Sequence, residues 1–105
     1  MIVAFDYDGV LDNYKILNLA KTMIKEGHEV WVVTMRSENE YNKKVMAESL
    51  KSINLTTYNV VFCDDKPKFE IIRMLNADIY IDNISDEFDD ILNYTKTVPL
   101  LWLNQ

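Results

Sequence analysis

The sequence predicts an α/β protein: a three-layer α/β/α sandwich around a five-stranded, mainly parallel sheet, with no cap domain. Two observations carry this. Short apolar runs such as Ile2-Val3-Ala4-Phe5 and Val30-Trp31-Val32-Val33 show no alternation, as strands buried on both faces do. Segments with apolar residues at helical spacing separate them, giving the order β-α-β-α-β-α-β-α-β.

The elements follow in order. Ile2 to Phe5 is the first strand, and it delivers Asp6-Tyr7-Asp8-Gly9 to its C-terminal end. Asp12-Asn13-Tyr14 carries turn chemistry. Ile16, Leu17, Leu19, Ala20, Met23 and Ile24 then mark a helix that ends at Gly27. Glu29 to Thr34 is the second strand. Ser37, with Glu40 three residues on, is expected to cap a second helix with Val45, Met46, Ser49, Leu50 and Ile53 as its stripe. Tyr58 to Phe62 reads as the third strand. Pro67 suits the first turn of a third helix carrying Phe69, Ile72, Met74 and Leu75. Asp78 to Ile81 leads to Asp82 as the fourth strand. Ser85 or Asp86 opens a fourth helix with Phe88, Ile91 and Leu92 inward, and Pro99 to Leu103 is the last strand.

Composition bounds the function. At 105 residues the whole chain, 1–105, reads as one domain. Two Gly and two Pro leave no room for linkers. The net charge of −6 argues against a general nucleic-acid or anionic-membrane surface, though not against a small anionic substrate met by a local cation. One cysteine, Cys63, cannot form an internal disulfide, so a reducing, cytoplasmic setting is expected. No apolar run is long enough to cross a membrane, and nothing at Met1 to Phe5 reads as a signal peptide.

A parallel sheet collects the ends of its strands on one edge. That edge should hold Asp6, Asp8, Thr34, Arg36, Asp64, Asp65, Lys66, Asp82, Asn83 and Asp86. Asp6 and Asp8 would repel unless a cation or a shared proton relieves them. With Asp82 they offer hard oxygen ligands of the kind Mg²⁺ takes alongside several waters. Thr34 offers a hydroxyl and a backbone N–H to a phosphate oxygen. Lys66, before Pro67, is the preferred lysine to hold a phosphoryl group, with Lys68 as its competitor.

Asp6-Tyr7-Asp8-Gly9-Val10-Leu11, Val33-Thr34, Lys66-Pro67 and Tyr80-Ile81-Asp82-Asn83-Ile84-Ser85-Asp86 together resemble, in order, the four motifs of the haloacid dehalogenase superfamily. The likeness spans essentially the whole chain and is nearest to the small capless phosphatases of phage and bacteria. It implies a Rossmann-like sandwich and a Mg²⁺-dependent phosphomonoester hydrolase. Asp6 would be the nucleophile that forms an aspartyl-phosphate, and Asp8 the general acid and base. The Asp6 side chain, the Asp8 carbonyl and Asp82 would hold Mg²⁺, with Asp86 behind them. Thr34 and Lys66 would bind the phosphoryl oxygens. Arg36 resembles an arginine of relatives that act on nucleotide or polynucleotide phosphates, so a phosphorylated small molecule or nucleotide-like substrate is expected.

Two departures stand out. Asn83 occupies a position where many relatives carry a second aspartate, and almost no flap follows Asp8. An open site suits a bulky substrate or a second copy of the chain that covers it. The alternative reading is a catalytically weak relative that acts as a binding partner. A phospho-receiver domain uses similar groups but phosphorylates the aspartate after its third strand, which here would be Asp64.

Overall fold

A computed structural model describes residues 1–103. Five strands, β1 (Ile2–Phe5), β2 (Glu29–Thr34), β3 (Val60–Phe62), β4 (Ile79–Asp82) and β5 (Val98–Leu101), form one sheet in the order β3-β2-β1-β4-β5. Every neighbouring pair is parallel, as the unalternated apolar runs require. The helices α1 (Tyr14–Lys25), α2 (Glu40–Leu50), α3 (Lys68–Leu75) and α4 (Phe88–Tyr94) make the crossovers.

The chain steps from β1 outward to β2 and β3, then returns past β1 to β4 and β5. Right-handed crossovers put the helices of the two directions on opposite faces. The core divides accordingly. Val3, Phe5, Val30 and Val32 pack with Ile16 and Ala20 of α1 and Met46 and Leu50 of α2. Ala4, Val33 and Tyr80 pack with Ile72 of α3 and Ile91 of α4. Residues adjacent in a strand thus serve different layers, which makes a three-layer sandwich. Pro99 is tolerated because β5 is an edge strand. The N–H groups of Val98 and Trp102 bond to the carbonyls of Asp78, just before β4, and of Asp82 at its end, so the proline nitrogen between them faces the free edge.

Several boundaries differ from expectation. Asn39, not Ser37, caps α2 by accepting the Asn42 N–H at 2.8 Å, because the Ser37 hydroxyl donates to Asp64 instead. Pro67 stands at the N-cap of α3 rather than in its first turn. Tyr58 belongs to a 3₁₀ turn (Thr57–Asn59), so β3 begins at Val60. The fourth helix begins only at Phe88, since Asp82 Oδ1 first turns the chain by accepting the N–H groups of Asn83 and Ile84. Met74 and Leu92, expected inward, are exposed. Gly27 does end α1 as expected, with φ +91° and the Met23 carbonyl taking the His28 N–H. Among the described residues, no helix is long and apolar enough to cross a membrane.

Candidate active site

The direction of the winding reverses between β1 and β4, and open α/β sheets bind ligands in the crevice at the carboxyl ends of such a pair. Asp6 follows β1 and Asp82 ends β4, so both carboxylates sit at that reversal, each only 7 % exposed. A pocket of about 250 Å³ opens there, lined by Asp6, Asp8, Lys68, Asp82, Asp86 and Glu87 among others.

Lys68 offsets one charge of the buried pair. Its Nζ lies 2.6 Å from Asp6 Oδ1 and 3.6 Å from Asp82 Oδ2, and it donates to the Tyr80 hydroxyl at 3.0 Å. The Tyr80 O–H in turn donates to Asp82 Oδ2. Burial pushes the Asp6 carboxyl up to about 6, against the pull of Lys68 and with a further push from Asp82. Burial and Asp82 together raise Tyr80 far above the ordinary phenol range, which keeps it a hydrogen-bond donor.

The structure brings Lys68, rather than the preferred Lys66, to the side of Asp6. Lys66 is exposed and lines a separate groove with Phe62, Cys63 and Pro67. The turn through Asp64 and Asp65, both at positive φ, carries it away from the crevice. Lys68 is the first residue of α3, and the helix axis aims it at Asp6.

Glu87 is a residue that sequence reading passed over. Pro67 offers α3 no side-chain cap, and Glu87 supplies one from outside: its carboxylate accepts the Lys68 N–H at 3.1 Å and the Phe69 N–H at 3.0 Å. It therefore fixes the helix turn that carries Lys68. The only signal in the sequence is its place in an acidic run, Asp86-Glu87-Phe88-Asp89-Asp90, at the expected start of the fourth helix.

Asp8 is held differently. Gly9, at φ +81°, turns the chain out of the sheet, and the Asp8 carboxylate faces solvent. Arg36 grips it with two bonds, 2.7 Å and 3.0 Å, while also donating to Asn42 at 3.2 Å and lying over the Tyr7 ring. These bonds to Asp8 raise the Arg36 guanidinium further above its ordinary value. Thr34 is fully buried at the end of β2, where its hydroxyl accepts the Arg36 N–H at 3.2 Å. Asp86 is exposed on the pocket rim. Asp64 bonds to Ser37, outside the Asp6 pocket.

A cation has a donor set to meet, although a small one. Among the described residues, no group of three or more His, Cys, Asp and Glu side chains is placed to hold a metal ion. The available oxygens are mixed in type: Asp6 Oδ2, the Asp8 carbonyl and Asp82 Oδ1 all lie within 3.2 Å of one atom of the Asn83 amide. Two carboxylates and a carbonyl suit a hard ion that keeps several waters. No family model matches this chain, and no curated protein or solved structure matches it either.

Proposed function

We propose that the chain is a phosphomonoester hydrolase of haloacid dehalogenase type, acting on nucleotide-like or other small phosphates. The observation that carries the proposal is Asp6: a buried carboxylate at the winding reversal, 2.6 Å from a buried lysine, with a second, exposed carboxylate two residues on. In this reading the Asp6 carboxylate attacks phosphorus, and the bond from phosphorus to the leaving oxygen breaks as Asp8 gives that oxygen a proton. Asp8 then takes a proton from water as the water attacks phosphorus, which releases orthophosphate and restores Asp6. Lys68 offsets the charge on the phosphoryl oxygens, where phosphoryl transfer needs it most. Mg²⁺ would be held by Asp6, the Asp8 carbonyl and Asp82, and when bound it supplies further positive charge beside the phosphoryl group. Asp8 must leave Arg36 to reach the substrate, and Arg36 is thereby freed to meet an anionic group.

That grip also favours a second reading, in which Asp8 stays locked to Arg36 and the chain binds a phosphorylated partner without turning it over. Phosphate release from p-nitrophenyl phosphate separates the two. Release that needs Mg²⁺ and is abolished by EDTA and by Asp6→Asn is the expected result. A folded protein that releases none from this substrate or from a nucleotide and sugar-phosphate panel refutes the hydrolase.

A further inference from the structure

Asn83 follows Asp82, and its side chain folds back over the turn after β1. One atom of its amide stands 3.2 Å from Asp6 Oδ2, 3.2 Å from the Asp8 carbonyl oxygen and 3.1 Å from Asp82 Oδ1. An amide oxygen at that point would set four acceptors against one another with nothing positive between them. An amide nitrogen donates to them, so in the protein without a cation the NH₂ faces inward. The outer amide atom then rests on Gly9, 2.2 Å from where a Cβ would stand, beside a groove lined by Gly9, Asp12, Asn13 and Trp102. Any residue but glycine at position 9 would push this amide off the three oxygens.

The same spacing suits the opposite orientation once a cation is present. Neighbouring oxygens around a six-coordinate Mg²⁺ lie about 3 Å apart, since each is roughly 2.1 Å from the ion. The three distances from the inner amide atom, 3.1 to 3.2 Å, fall at that spacing. The two ends of an amide have nearly the same size, and the terminal torsion of Asn has two broad wells. A half-turn exchanges them without moving the backbone.

We infer that Asn83 is a reversible stand-in for the cation, its NH₂ tying the three oxygens together in the metal-free protein and its oxygen turning inward when a divalent ion enters. This rests on the reading of the site as a cation site. The stand-in explains how Asp6 and Asp82 approach the same point without a metal, with Lys68 on their far oxygens. It also makes entry of the ion a competition, because the ion must displace the hydrogen bonds of the amide. An aspartate at this position would present only acceptors, and the metal-free site would lose its tie.

Two measurements on the full chain test it. In ¹⁵N spectra in EDTA, the Asn83 side-chain NH₂, assigned through its proximity to Gly9, should exchange slowly with water. Saturating Mg²⁺ should shift it and speed its exchange at least about tenfold, as the NH₂ turns to the open groove. Calorimetric titration with Mg²⁺ should show Asn83→Asp binding about tenfold more tightly than the parent chain, with a lower Tm in EDTA. Mg²⁺ binding that leaves the Asn83 NH₂ unchanged overturns the turning amide and leaves the cation site standing. Equal affinity in the two proteins does the same. No binding to either protein removes the cation site and this inference with it.

Discussion

Asp6 and Asp8 are two residues apart, and the fold treats them as different kinds of group. Asp6 is still in line with β1, so its carboxylate points into the crevice and is nearly dry, paired with Lys68 from the start of α3. Asp8 lies beyond the first bend of the turn, with a side chain 55 % exposed, and takes Arg36 from the loop after β2. Both pairs measure under 3 Å. Distance therefore does not tell them apart; solvent does. A buried ion pair costs heavily when one partner is removed, whereas an exposed pair is screened and contributes little.

The largest effect is expected at Lys68. Lys68→Met leaves two carboxylates, each 7 % exposed, with no cation among the side chains that touch them. Breaking such a pair costs about 3–5 kcal/mol, a large part of the 5–15 kcal/mol that holds a domain of this size together. Urea unfolding at pH 8 in EDTA measures it. A loss below about 1 kcal/mol would show that water reaches the pair and that the contrast with Asp8 is false.

Acidity gives the next test. Asp6 titrates near 6 in the folded chain and near 3.8 when free of it. Between those values the folded state holds a proton that the unfolded state has lost, so this group favours folding at the acid end. Its contribution declines as pH rises from about 4 to about 6 and is level above that. The unfolding free energy of Asp6→Asn in EDTA should therefore gain on that of the parent chain across this window and run parallel to it at higher pH. Parallel curves throughout would mean that burial does not raise Asp6.

How far the sequence could be read follows the same division. The sheet was legible, because residues buried on both faces leave an unbroken apolar run that nothing else explains, as in Ile2 to Phe5. Asp6 and Asp82 were legible because each is the first charge after such a run. The lysine was not. Lys66 and Lys68 differ only in how the Asp64-Asp65 turn at positive φ aims them, and no local pattern encodes that aim. Glu87 was hidden for a related reason: it caps α3 although its sequence neighbours belong to α4. In the sequence Asn83 shows only as a departure from the second aspartate that many relatives carry. Its contact with three oxygens depends on the room left by Gly9, which is 74 residues away in the chain.

The smallest effect on stability, and the sharpest test of the outer pair, is Arg36→Ala. Arg36 holds Asp8 by two bonds, Asn42 by one, and covers Tyr7, yet its side chain is 29 % exposed and that of Asp8 more so. Water can replace these contacts, so the unfolding free energy should fall by no more than about 1 kcal/mol. If Asp8 works by leaving Arg36, the variant should keep turnover of p-nitrophenyl phosphate within about threefold, since the proton donor survives and is less restrained. A nucleoside diphosphate carries a further anionic group for the freed guanidinium. Its KM should rise about tenfold, the size of one lost charge-assisted contact. Equal loss on both substrates would instead make Arg36 a residue that positions Asp8, and the grip on that carboxylate would be the working state rather than the resting one.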